Sequence, residues 1–246
     1  MIMRTSNPVL RSLEHSKAYV GSEAASYRGI VLKTGLLLGS AVLSGFLFLY
    51  AIANGLIGAE TVIPMLVGAM ILAFISVIVA SRSVRLAAPF ALIYALSEGL
   101  FLGLLTVMFD AYAPGVALAA VIATFAIFTV MLFLYSSRTI RVTPRFRRIM
   151  YSVILGILFF AVLSMILSLF NVNIAIGQPL VLLVSGVLIV VGALMLTLDF
   201  DRAEMIVDGG MDKAYEWMVA VGLMVTIVWI YVELLRFLAI IANNRR

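Results

Sequence analysis

The sequence predicts an all-α integral membrane protein, a bundle of seven transmembrane helices. Hydrophobic residues make up 64% of the 246 residues and charged residues only 12%, against about 25% charged in soluble domains, and the mean hydropathy is +1.19. The apolar residues gather into seven runs, each close to the ~20 residues that cross a bilayer, with short polar connections between them. Seven spans leave no room for a sizeable extramembrane domain. One membrane domain, 28–242, is expected between a mobile cytoplasmic tail, 1–27, and a short C-terminal tail, 243–246.

The N-terminal tail mixes Ser, Arg and Glu without periodicity and lacks the apolar core of a cleaved signal peptide, so the first span must act as the targeting signal. The tail holds His15, the sole histidine, and one histidine does not make a metal site. The first span covers about 30–54, with Lys33 near its start, where a long side chain snorkels to the headgroups. The second, 61–80, is closed off by Arg82 and Arg85. The third, 86–109, is interrupted by Ser97-Glu98-Gly99. A charged carboxylate in mid-span costs about 2.5–3.5 kcal/mol, so Glu98 is expected to face protein or water.

The fourth span, 116–135, ends in a basic segment with Arg138, Arg141, Arg145, Arg147 and Arg148, where Pro144 argues against a long straight helix. These arginines could bind anionic lipid, but beside a span they mainly set topology. The fifth span, 150–170, and the sixth, 179–198, are joined by the uncharged turn residues Asn171-Val172-Asn173 and Gly177-Gln178-Pro179. The seventh run, 217–242, is longer than one bilayer requires and is expected to tilt.

Thirteen of the seventeen Lys and Arg residues lie before the first span or after the second, fourth and sixth spans. The positive-inside rule puts these segments, and the N-terminus, in the cytoplasm. Seven full crossings leave Arg245 and Arg246 outside, and a re-entrant last segment would return them. Because the basic residues sit between spans, the net charge of +5 does not point to nucleic acid. With no cysteine, one histidine and no HExxH, disulfides, thiolate chemistry and zinc proteolysis are excluded, and no enzyme activity or cofactor is expected.

The most distinctive stretch is 199–216, which holds six of the twelve carboxylates: Asp199, Asp201, Glu204, Asp208, Asp212 and Glu216. It reads as an acidic cytoplasmic loop, with Gly209-Gly210 opposing a continuous helix. It is not an EF-hand, since counting from Asp199 puts Glu204 where Gly is needed and Gly210 where Glu is needed. At about 1.5 Å per helical residue, Asp199, Asp201 and Glu216 fall at the cytoplasmic interface and Glu98 about 18 Å deep. Glu233 then lies about 26 Å beyond Glu216. Carboxylates at three depths suit a cation or proton pathway, since spaced oxygen ligands replace part of a hydration shell and still release the ion. Glu233 and Arg236, three apart on one helix, could instead neutralise each other. Asp199 and Asp201 abut the membrane, where two carboxylates do not both ionise easily; they form a candidate coupled pH switch and a weak candidate metal pair.

Leu198-Asp199-Phe200-Asp201 and the acidic stretch after it, then Glu216-Trp217, Gly222-Leu223, Trp229, Tyr231 and Glu233-Leu234-Leu235-Arg236-Phe237, resemble the Bax-inhibitor (transmembrane Bax-inhibitor-motif) family, in its bacterial branch. Ser97-Glu98-Gly99 and the basic connection are similar too, so the resemblance runs from about 30 to 242. It implies seven helices with the last one central, in a bacterial cytoplasmic membrane. It also implies a pH-sensitive calcium leak in which an Asp at the end of the sixth helix pairs with an Asp in the seventh. Asp199 matches the first; the second falls near Thr226, which does not titrate, leaving Asp201 or Glu216 to substitute. The function expected from the sequence is therefore a calcium leak with carboxylates lining the pathway and sensing protons, and with Ca2+, protons and the lipid bilayer as partners. The competing readings are a proton-coupled cation exchanger and a non-conducting stress-protective regulator that binds other membrane proteins.

Overall fold

The computed structural model describes residues 23–170 and 177–243. Residues 1–22 of the tail, with His15, the turn residues Asn171-Val172-Asn173, and Arg245 and Arg246 lie outside the described residues. Seven helices follow one another: α1 Tyr27–Ala53, α2 Ala59–Arg82, α3 Ala87–Tyr112, α4 Val116–Ser136, α5 Pro144–Leu169, α6 Gln178–Asp208 and α7 Tyr215–Asn243. Each is long and apolar enough to cross a membrane, and together they make a seven-span membrane bundle.

Local signals set the helix ends. The Ser26 hydroxyl caps α1 by accepting from Gly29 N–H at 3.0 Å. Asp110 Oδ1 accepts from the N–H groups of Gly115 and Ala117, at 3.0 and 3.3 Å, and so closes the turn into α4. Thr143 caps α5 by accepting from Phe146 N–H at 3.1 Å. Pro144, expected to oppose a long helix, stands instead in the first turn, where its missing N–H loses no intrahelical bond. Consequently α5 begins at 144 rather than 150.

The larger departure concerns α6. Expected to stop at 198, it continues to Asp208, where Gly209 N–H bonds to Met205 O at 3.1 Å and Gly210 takes φ +60°. Charged residues do not themselves end a helix, whereas a glycine in the left-handed region does. The acidic stretch is therefore mostly helix, and the connection to α7 is only 209–214.

The last helix is central. In its most apolar window 61% of residues are buried, against 28% or less in the other six, and it touches α1, α2, α3, α4 and α6. At the edge, α5 packs on α6, and among the described residues only its Met150 is buried. Lipid offers no hydrophobic drive between helices, so association rests on small residues and internal hydrogen bonds. At one such place α1 and α3 meet backbone to backbone. A Cβ on Gly45 would lie 2.6 Å from the Gly99 carbonyl oxygen and 3.3 Å from Gly103 Cα, and a Cβ on Gly99 would collide with Ser44 Oγ and the Ala41 carbonyl. The Ser97-Glu98-Gly99 interruption thus leaves α3 unbroken and supplies its closest contact. In the same way α6 closes on α7 at Gly192, where a Cβ would lie 2.8 Å from Ile230 Cγ1.

Residues 23–26, expected to belong to a mobile tail, strap down the connection 209–214. Ala25 N–H donates to Met211 O at 2.8 Å and Lys213 N–H to Glu23 O at 2.9 Å, an antiparallel bridge centred on Ala24 and Asp212. The Glu23 and Lys213 side chains pair across it. The hydrogen bond and charge of Lys213 hold the Glu23 carboxyl below the usual carboxylate range, and Glu23 raises the Lys213 ammonium above its own. A depressed carboxylate stabilises above its unfolded pKa, about 4.3, and loses that contribution as pH falls through the folded value. A raised ammonium stabilises below about 10.4 and loses it as pH rises through the folded value. The strap is therefore at full strength from roughly pH 5 to pH 10.

Two outcomes follow from these contacts. Gly99→Ala is expected to destabilise the protein by about 1–3 kcal/mol through forced separation of α1 and α3, read as a lower Tm in detergent. Gly68→Ala on α2, where nothing lies within 4 Å of the new Cβ, should leave Tm unchanged or raise it. For the strap, Glu23→Gln should accelerate hydrogen exchange at the Ala25 and Lys213 amides near pH 7. The ratio of variant to wild-type rate should approach one as pH falls below about 4.

Candidate functional site at the α6 and α7 seam

The six carboxylates of 199–216 do not act as one cluster. Asp201 is held by Arg147 of α5, 2.5 Å away. Glu204 accepts from Tyr135 of α4 and from Arg138, the latter at 2.5 Å. Asp208 accepts from the Tyr27 hydroxyl at 3.2 Å, and Asp212 from Ala214 N–H at 2.7 Å. Glu216, at the start of α7, is fully buried and meets Lys33 Nζ at 2.6 Å, Ser26 N–H at 2.7 Å and the Ser26 hydroxyl at 3.1 Å. Gly29 leaves room for it, since a Cβ there would overlap its carboxylate. Lys33, expected to snorkel outward, turns inward instead: its side chain is 15% exposed and its Nζ lies 5.2 Å from the centre of the Trp217 ring.

Asp199 is the exception. It is buried, 8% exposed, and forms no ion pair among the described residues. The Thr226 hydroxyl donates to its Oδ2 at 2.6 Å, and Gly222 lies opposite its Oδ1, where a Cβ would sit 3.4 Å away. Thr226, the position matched to a second aspartate, is thus in direct contact with Asp199. Glu233 is seven residues on from Thr226 and shares its face of α7. It too is buried, and Arg236 Nη2 donates to it at 2.6 Å while Arg236 Nε donates to Ser185 Oγ of α6 at 3.1 Å. The α6 and α7 seam therefore has two polar levels, Asp199 with Thr226, and Ser185 with Arg236 and Glu233. They lie about 10 Å apart along α7, with the Gly192 and Ile230 contact between them.

The remaining sequence candidates stand elsewhere. Asp201 bonds to Arg147 of α5 and Glu216 to Lys33 of α1, whereas Asp199 bonds to Thr226 of α7. Among the described residues no group of three or more His, Asp or Glu could hold a metal ion. Glu98 is half-buried on α3, one turn from buried Tyr94, and has no hydrogen bond within the described residues. Nearby, a cavity of about 380 Å³ lies among α1, α3, α4 and α7, with Leu38, Gly45, Gly103, Phe125 and Ile227 in its wall. Its polar side chains are Thr106 and Tyr231, whose hydroxyls lie 2.7 Å apart, and Thr124, which donates to its own helix, so the cavity does not suit a bare ion.

Sequence reasoning missed Ser185, the Thr226 hydrogen bond and the partner of Lys33. One signal for the seam was present: Ser185, Gly192 and Asp199 recur every seven residues, the spacing of a single face in closely packed helices. For the buried pair, Lys33→Met is expected to destabilise by about 3 kcal/mol because it leaves Glu216 buried without its counter-ion. The double variant Lys33→Met, Glu216→Gln should recover part of that loss, measured as a coupling energy in a double-mutant cycle of unfolding.

No curated protein matches this chain. The family described as Bax inhibitor 1 like matches residues 7–243, a range that takes in all seven helices, the strap and both polar levels of the seam. The chain therefore belongs to the Bax inhibitor 1-like family of membrane proteins.

Proposed function

We propose that the protein is a pH-sensitive cation leak, with calcium as the ion carried, gated at the α6 and α7 seam by protonation of Asp199. The observation that carries this reading is the setting of Asp199. It is buried against the central helix, held by one hydroxyl and not by a counter-ion, with exposed Arg202 three residues on. An ionised carboxylate only accepts hydrogen bonds, whereas a protonated one also donates. Gain of a proton therefore removes the charge at this level of the seam and rearranges its bond to Thr226. Glu233 and Ser185 supply further oxygens along the same interface, and spaced, weak ligands are what ion transit requires. Glu98 is a separate half-buried carboxylate, and Asp201 and Glu216 act through their ion pairs at the charged end. The excess of Lys and Arg supports a cytoplasmic orientation of that end, and the resemblance to the bacterial branch of the family supports a bacterial cytoplasmic membrane as the location.

A specific feature favours the non-conducting regulator as second reading: the seam is closed at Gly192 and Ile230, and the Arg236 guanidinium stands in it. Flux decides between the two. Purified protein in liposomes is expected to pass calcium at rates that differ several-fold between about pH 6 and about pH 8. Asp199→Asn should flatten that difference to within about twofold, and Glu98→Gln tests the other half-buried carboxylate. Thr226→Asp should restore two carboxylates in contact, which titrate as a coupled pair, and so change the shape of the profile. Folded protein giving no flux above empty liposomes at either pH would overturn the leak and favour the regulator.

A further inference from the structure

The arginines between α4 and α5 divide by what they touch. Arg138 is tied to Glu204 and Arg147 to Asp201, whereas Arg141, Arg145 and Arg148 are exposed and form no ion pair among the described residues. Arg145, Arg147 and Arg148 all lie in the first turns of α5, which carry no acidic residue. A helix N-terminus bears partial positive charge, and like charges three apart repel, so this is an unfavourable arrangement for a helix end with nothing bound to it.

Beside these side chains is a hollow of about 390 Å³ lined by Val142, Pro144, Arg147, Arg148 and Tyr151. Its wall combines two guanidiniums and a phenol with two apolar side chains. The Asp201 carboxylate is already bonded to Nη2 of Arg147 and largely neutralises it, so Arg148 and the adjacent Arg145 carry the excess charge. Below the hollow the outer face of α5 turns apolar at once: Leu155, Leu158 and Phe159 are each more than half exposed. Guanidiniums and a tyrosine at one level, with uncovered hydrocarbon side chains beneath them, match a molecule that has an anionic head and an acyl tail.

We propose that this hollow binds the phosphate headgroup of an anionic phospholipid, with Arg148 and Arg145 supplying the charge, Tyr151 a hydroxyl and the outer face of α5 the surface for the acyl chain. The site is independent of the α6 and α7 seam and stands whether or not the protein conducts ions. It also supplies α5, in which Met150 is the one buried side chain among the described residues, with a second partner besides α6.

The test is a native mass spectrometry titration of the full chain in detergent with phosphatidylglycerol, phosphatidylcholine and inorganic phosphate. Wild-type protein should take up phosphatidylglycerol in preference to phosphatidylcholine. The variant Arg145→Gln, Arg148→Gln should bind phosphatidylglycerol about tenfold or more weakly, from a contribution of about one kcal/mol per arginine. The variant Arg82→Gln, Arg85→Gln removes two other exposed arginines and should stay within about twofold of wild type. Unchanged Tm of both variants in phosphatidylcholine shows that they are folded, and where the glutamine pair is not, the single variants Arg145→Gln and Arg148→Gln serve in its place, each expected to bind about fivefold more weakly. Equal weakening by the Arg82 and Arg85 pair, or no preference between the two lipids, overturns the site. Displacement of phosphatidylglycerol by millimolar inorganic phosphate alone would overturn the lipid as its ligand.

Discussion

Polar ties radiating from α7 hold this bundle together. Glu216 reaches α1 through Lys33, Thr226 reaches α6 through Asp199, Tyr231 reaches α3 through Thr106, and Arg236 reaches α6 again through Ser185. In hydrocarbon an unsatisfied polar group has no water to turn to, so each tie is costly to break. The apolar contacts alone do not choose the neighbours of a helix, because lipid tails are as apolar as the side chains they would replace. Glycine then permits what the polar ties demand. The seam at Asp199 closes over Gly222 and Gly192, and the Glu216 carboxylate occupies the space left at Gly29.

The acidic stretch 199–216 gains its meaning from its partners. Taken alone it is a concentration of negative charge between two spans. In the fold, Arg147, Arg138 and Lys33 come from three other parts of the chain and neutralise three of its members. What remains distinct is Asp199, whose contact is a hydroxyl. This separation distinguishes residues that look alike in sequence: most of the acids fasten the charged end of the bundle, and one lies buried against its central helix, bonded to a hydroxyl.

The seven spans were legible because hydropathy and length are properties of single segments. Helix ends were less so. Ten charged and apolar residues after Leu198 continue α6, since what stops a helix is a backbone that turns away, at Gly209 and Gly210, and not the appearance of charge. Pro144 was read as a breaker and is a starter, because its effect depends on which turn it occupies. Lys33 was assigned to the headgroups, and its inward turn could not be foreseen without knowing that Glu216 lies beside it. The contact between Asp199 and Thr226 came within reach only through the family resemblance, which matched Thr226 to a carboxylate position. Its hydrogen bond is a tertiary fact, absent from either helix alone.

The central helix is also the last of the seven to leave the ribosome. Six spans are therefore made before the element that joins them, and α1, α4 and α6 must each wait in the bilayer without the neighbour that α7 provides. During that interval Glu216, Thr226 and Glu233 have yet to be made, and Lys33, Asp199 and Ser185 lack the partners that α7 supplies. Assembly thus ends with a single insertion that fills several vacant contacts together. A defect confined to the final thirty or so residues would remove the shared neighbour of α1, α2, α3, α4 and α6 while leaving the direct contacts of α3 with α1 and α2 in place.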